Sequence, residues 1–222
     1  MNWTKKKLGE VLAIERGGSP RPIKKYLTDS PDGINWIKIS DATASDKFIY
    51  KTKEKITKSG LNKTRMVNEE DLLLSNSMSF GRPYIMKTKG CIHDGWLVLR
   101  QNNQKYFITE FLYYLLSSTY FVNQFDSLAT GSTVRNLNIA LVSSVLAPIP
   151  PLLEQKRIVS ILDRAFTAIN QAKANAKRNL QNAAALFESY LQNVFENKGK
   201  DWEEKTLGEI CDFVRGPFGG SL

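Results

Sequence analysis

The chain turns on the stretch Pro148-Ile149-Pro150-Pro151-Leu152-Leu153-Glu154-Gln155 and on the pattern that follows it to about Phe195. Apolar residues recur there at Ile158, Leu162, Ala165, Ile169, Ala172, Ala176, Leu180, Ala183, Phe187, Tyr190 and Val194. Steps of four and three alternate, with one extra four between Ala172 and Leu180, which makes a heptad seam with a single stutter. Pro151 opens the run, where a missing N–H costs nothing, and Lys198-Gly199 closes it. About 44 residues at roughly 1.5 Å each predict a rod some 66 Å long. A lone helix of that length cannot bury a continuous apolar stripe, so the seam predicts a partner helix. The alternative is a long core helix inside one globular domain, but such helices typically run only ~8–20 residues.

What the helix joins is equally informative. The chain opens with Trp3, Lys6, Leu8-Gly9-Glu10 and Arg16-Gly17, and beyond the helix the same residues return as Trp202, Lys205, Leu207-Gly208-Glu209 and Arg215-Gly216. A repeat that long points to a duplicated domain and not to a solenoid. The organisation expected is therefore a domain over 1–150, a spacer and dimerisation helix over 151–199, and the severed start of a second domain over 200–222.

Charge is unevenly placed along the 222 residues. Most of the net +9 falls before residue 66, while the stretch from 66 to 150 is balanced. A basic lobe on a neutral body suggests a polyanion partner; a well-solvated lysine surface is the plainer reading. No run of about 18 apolar residues occurs, and Met1-Asn2-Trp3 is followed by lysines without an apolar signal core. A cytoplasmic protein with no membrane contact is expected. Cys91, Cys211 and the single His93 are too few for a disulfide framework or a zinc site.

Short apolar runs predict strands at Val11–Ile14, Ile34–Ser40, Asp71–Ser75, Arg82–Met86, Cys91–Ile92, Trp96–Leu99 and Val145–Ile149, the middle ones forming a meander. The lysine-rich stretch from Asp46 to Lys58 predicts a strand and an exposed loop. Helices are expected from Glu110, capped by Thr109, and from Tyr120 to Phe125, with their aromatics in the core. His93 falls in a turn, where a structural hydrogen bond is its expected role. The fold class is thus α+β: a mixed, largely antiparallel sheet followed by a long coiled-coil helix.

Three loops stand out between these elements. The first runs from Arg16 through Gly17, Gly18, Ser19 and Arg21 to Lys24 and Lys25; its two glycines are free to reach positive φ, and its N–H groups suit an anion, although a plain surface turn reads the same way. The second carries Ser77, Ser79 and Arg82, with Gly81 as a hinge. The third carries Gly131, Ser132, Arg135 and Asn136. Catalysis finds little support. No Asn/Asp-Pro-Pro-aromatic tetrapeptide, phosphate-binding loop or Ser/His/Asp order occurs, and Asp212–Gly219, the nearest approach to a cofactor loop, aligns with the opening loop instead. No cofactor, metal or intrinsic activity is expected. The alternatives kept open are a fragment of a DNA-modifying methyltransferase and a coiled-coil scaffold that reads no DNA.

In this order, Trp3…Leu8-Gly9-Glu10, Gly17-Gly18-Ser19-Pro20, Thr130-Gly131-Ser132-Thr133-Val134-Arg135-Asn136-Leu137 and Pro148-Ile149-Pro150-Pro151-Leu152…Glu154-Gln155…Ile158-Val159…Leu162-Asp163 resemble the DNA-specificity subunits of type I restriction–modification systems. The resemblance covers essentially the whole chain. It implies a target-recognition domain that reads one half of a bipartite site in double-stranded DNA. It also implies a spacer helix that pairs antiparallel with a second one, and partnership with modification (methyltransferase) and restriction subunits. Full members carry two such domains and two helices; with one of each, this chain is expected to form a homodimer through the helix.

Overall fold

The computed structural model describes residues 3–43, 45–76, 80–101, 105–129, 136–214 and 216. In chain order the elements are β1 (Thr4–Lys7), α1 (Leu8–Val11), β2 (Leu12–Arg16), β3 (Ile34–Ile37), α2 (Ile39–Thr43), β4 (Phe48–Ile49), β5 (Glu54–Ile56), β6 (Arg65–Val67), β7 (Leu72–Ser75), β8 (Pro83–Met86), β9 (Gly90–Ile92), β10 (Trp96–Gln101), α3 (Thr109–Ser117), α4 (Thr119–Ala129), α5 (Ile139–Ser144), β11 (Leu146–Ile149), α6 (Leu152–Glu196) and α7 (Leu207–Ile210). Contacts divide the chain into a body that ends at Arg164 and a second unit from Ala165 onward. No described helix is long and apolar enough to cross a membrane.

The apolar runs explain the layers. Alternate residues of a strand face opposite sides, and in β10 both sides are buried: Leu97 and Leu99 enter one core, Trp96 and Val98 another. The same split places Leu72 and Leu74 of β7 opposite Leu73, and Ile85 of β8 opposite Tyr84 and Met86. A continuous apolar run is the mark of a strand covered on both faces. One face of the five-stranded sheet β2-β10-β7-β8-β4 packs on the aromatic sides of α3 and α4, through Phe111, Leu112, Phe121 and Phe125. The other face packs on the four-stranded sheet β5-β3-β9-β6, through Ile37, Val67 and Ile92. All named pairs are antiparallel except β3 with β9 and β4 with β8.

Several expectations are corrected in detail. β9 and β10 follow one another in sequence but lie in different sheets, so the meander ends at β8. The strand predicted over Ile34–Ser40 stops at Ile37 and passes into α2. Thr109 does not cap α3; it is already its first helical residue, behind Ile108. Residues 139–144, to which the sequence reading assigns no element, form α5, and Asn138 caps that helix by accepting the Leu141 N–H at 2.9 Å.

The first attachment of the root of α6 to the body is a single side chain. Gln155 is fully buried. Its Nε2 donates to the carbonyls of Tyr106 (2.9 Å) and Pro150 (2.8 Å), and its Oε1 accepts the Ile108 N–H at 2.9 Å. One turn on, Ile158 and Val159 pack against the core, and Leu162 is half-buried. The exposed seam therefore begins later than the periodicity suggested, because Ile158 at its start packs against the body's own core. Asp163 then receives the Tyr114 hydroxyl and the Lys47 ammonium. Burial opposes its ionisation, but these two donors outweigh that and hold its carboxyl below the ordinary range.

Replacing Gln155 by Leu would leave two carbonyls and one N–H without partners in a dry site. At ~1–3 kcal/mol for each orphaned group, partly relieved by relaxation, the body should lose about 2–4 kcal/mol of stability. Urea unfolding measures this; a loss under about 0.5 kcal/mol would show that the clamp matters little.

Candidate nucleic-acid interface

Two of the three loops selected from sequence meet at one turn, His93-Asp94-Gly95, which links β9 to β10, and the described end of the third reaches them. From the first loop, Gly17 N–H donates to Trp96 O at 2.9 Å and Gly18 N–H to Ile92 O at 3.2 Å. Arg16 Nε donates to Asp94 O at 2.9 Å, the Ser19 hydroxyl to Asp94 Oδ1 at 2.6 Å, and Arg21 pairs with the same carboxylate at 3.6 Å. From the second loop, Asn76 donates its backbone N–H to Gly95 O at 3.0 Å and its Nδ2 to Asp94 O at 2.8 Å. The third loop joins through Leu137, whose N–H donates to Asn76 O at 2.9 Å.

This geometry changes the reading of the glycines. Gly17 and Gly18 give their N–H groups to carbonyls, not to an anion, and neither has positive φ. They are glycines because the backbones approach too closely for a side chain: a Cβ on Gly17 would lie 2.1 Å from His93 O, and one on Gly18 2.6 Å from Lys63 O. The hinge expected at Gly81 is a positive-φ residue, at +71°, and its N–H closes the hairpin onto Ser75 O at 2.9 Å.

The predicted contact residues separate into two sets. Arg16, Ser19 and Arg21 are tethered to Asp94. Lys24 and Lys25 lie exposed on a 3₁₀ turn over Ile23–Lys25. Arg82 is exposed too, and no described carboxylate or carbonyl holds its guanidinium. Among the described residues, Asn136 Oδ1 is buried without a hydrogen-bond partner, as is Asn76 Oδ1. Ser77, Ser79, Gly131, Ser132 and Arg135 lie outside the described residues. Sequence reasoning missed Asp94 as the hub; the one local signal was an Asp-Gly turn between two apolar runs.

Ser19 donating to Asp94 is the largest influence on that carboxyl; partial burial opposes it, and the outcome is a value below the ordinary one. His93 goes the other way, held below its usual value chiefly by burial, so the ring is neutral near pH 7. Its Nδ1 accepts the Gly95 N–H at 2.8 Å, which is the structural bond expected of it. Among the described residues no three His, Cys, Asp or Glu side chains gather as metal ligands would. Cys91 is buried, which pushes its thiol up to about 11.

In the second unit, α6 carries its apolar stripe into solvent: Ile169 is 46%, Leu180 74%, Phe187 63% and Tyr190 69% exposed. Beyond it, the sequence repeat extends to structure. In α1, Glu10 reaches back to accept the Lys7 N–H; in α7, Glu209 accepts the Thr206 N–H at 2.7 Å. In the first copy Leu8 and Val11 are wholly buried, whereas their counterparts Leu207 and Ile210 are exposed.

Residues 1–178 match the family model described as Type I restriction modification DNA specificity domain, and the chain belongs to that family. The type I restriction enzyme MjaVIII specificity subunit of Methanocaldococcus jannaschii is 24% identical over an alignment covering 98% of this chain and 51% of that protein. A chain solved in work on complex assembly and conformational transition of the type I R-M system superposes with a TM-score of 0.70 at 22% identity, over 86% of this chain and 45% of that one. The HsdS subunit from Thermoanaerobacter tengcongensis gives 0.59 at 24% identity, over 76% and 38%. These likenesses bear out the α+β fold with its long helix. The chain spans about half the length of the curated relatives it matches.

Because the folded-state carboxyl of Asp94 is depressed, its contribution is complete above the unfolded value near 3.9 and is lost as pH falls through the lower folded value. Asp94→Ala should cost about 0.5–1.5 kcal/mol at pH 7, discounted for a half-exposed group, and the gap to wild type should shrink towards pH 3. A gap that stays constant between pH 7 and pH 3 would contradict the tether.

Proposed function

We propose that this chain reads one half-site in double-stranded DNA for a type I restriction–modification complex, contributes no catalysis of its own, and holds modification subunits on their target. The observation that carries the reading is the gathering of the opening loops of a basic lobe on the His93–Gly95 turn, in a chain of the specificity-domain family. Lys24 and Lys25 are suited to phosphates, which position a protein on DNA, and Arg82 to base edges, which specify sequence. Residues 1–150 are the recognition domain in this reading, 151–199 the spacer, and 200–222 the opening of a second recognition domain. The setting is the cytoplasm, where the DNA is. Restriction subunits would join through the modification subunits or beside them.

The spacer is proposed to pair antiparallel with a second copy of itself. With the twofold axis near Arg178, Leu162 faces Val194, Phe166 faces Tyr190, Ile169 faces Phe187 and Ala176 faces Leu180. Bulky residues then fill both ends, and at the middle the small Ala176 leaves room for Leu180 of the other helix. Leaving these large side chains in water forfeits roughly 1.5–3 kcal/mol each. A true twofold of this kind would make the target two inverted half-sites with a spacer.

Selection from a random duplex pool, with the chain bound to its modification subunit, should enrich one defined half-site; no enrichment would reject the reading. Arg82→Ala should cost about 1–3 kcal/mol and relax one base position, whereas Lys24→Ala should weaken all sequences alike and lower the salt slope by about 1. Ile169→Asp with Leu180→Asp should convert a dimer to a monomer at micromolar concentration in sedimentation; a monomeric wild type or a dimeric double variant would contradict the pairing.

A further inference from the structure

Beside the tethered loop, and sharing Ser19, Arg21 and His93 with it, lies a groove of about 1060 Å³, within reach of the size of small-ligand sites. Its walls are apolar, formed by Ile23, Leu27 and Ile39 with the prolines of the first loop. Its lining includes two unusual donors. Trp36 is 3% exposed, and His93 lies beside it with ring centroids 6.2 Å apart. Neither the Trp36 indole N–H nor the His93 Nε2–H has an acceptor among the described residues. By contrast, the Trp96 indole N–H donates to Ile37 O at 3.2 Å. The His93 proton is assigned to Nε2 because Nδ1 accepts the Gly95 N–H. Both donors open onto the groove and stay unpaired by the body, so they suit a ligand that brings two acceptors.

The mouth of the groove is cationic. Glu54 is neutralised by its ion pair with Lys38; the exposed Lys24 stands beside the opening, and with it Arg21, which is 3.6 Å from Asp94 but 83% exposed and free to turn towards a phosphate. A ligand that fits is flat and largely apolar, presents acceptors on one edge and carries an anion at its other end. A nucleotide meets this description. Thymine does so best among the bases, since its two carbonyls flank the pairing edge and its methyl group suits apolar walls.

We infer that the groove receives a single thymine swung out of the bound duplex, with its carbonyls on Trp36 and His93 and its flanking phosphates on Arg21 and Lys24. This rests on the DNA-reading role proposed above and adds to it a site for an unstacked base. Swinging a base out costs least where it is already unpaired, so a mismatch at that position should strengthen binding.

The test uses the chain bound to its modification subunit and the duplex that selection yields. Each thymine in turn is placed opposite adenine or opposite a mismatched cytosine, and affinity is measured. One thymine should bind about tenfold tighter when mismatched. Leu27→Glu and Thr43→Trp, both at exposed lining positions, should erase that gain while the preference for the selected duplex over an unrelated one stays within about twofold. If no thymine shows a gain while the preference persists, the groove proposal falls and the reading role stands. A gain that survives both variants also overturns it. Variants that lose only the modification subunit would mark the groove as a protein seat and overturn it too. A wild type without any sequence preference would remove both the reading role and the groove proposal.

Discussion

Asp94 is the point through which the opening loops of this domain are held. Its carboxylate takes Ser19 and Arg21, and its carbonyl takes Arg16 and Asn76, so a single residue tethers two loops that are far apart in sequence. The turn that carries it is itself fixed, because β9 belongs to one sheet and β10 to the other. A turn between two packed sheets has little freedom, which makes it a sound base for loops that would otherwise be mobile. The glycines of the first loop serve the same end by letting its backbone lie directly on the turn.

The helix root is held in an analogous way. Gln155 satisfies three backbone groups in a dry site, and Asp163, Tyr114 and Lys47 add a second point of attachment two turns on. In the proposed reading, a helix that sets the distance between two recognition domains can do so only if its root is firmly seated. The motif Pro150-Pro151-Leu152-Leu153-Glu154-Gln155 is therefore as much a joint as a helix start.

Much of this was legible in the sequence, and the failures have physical causes. The long helix, the buried strands and the aromatic core of α3 and α4 follow from periodicity, which is a local property. The partition of β9 and β10 between sheets does not, because a strand buried on both faces gives no sign of which neighbour it pairs with. Asp94 was missed for the same reason: its partners at Arg16, Ser19 and Asn76 are brought to it only by the fold. For Gly17 and Gly18 the sequence offered N–H groups for an anion or a plain surface turn, and the close approach that the fold imposes on them was visible in neither. The α5 cap at Asn138 was a local signal that a loop-like composition concealed. Ile158 shows the limit of a heptad pattern, which marks an apolar face without saying whether the body or a partner covers it.

Amide hydrogen exchange with and without the selected duplex tests the central claim most directly. Bound DNA should slow exchange together around Arg21–Lys25 of the first loop and at Gly81 and Arg82, while the outer face of α6 is unchanged. Protection confined to α6, with these loop segments exchanging as before, would contradict it.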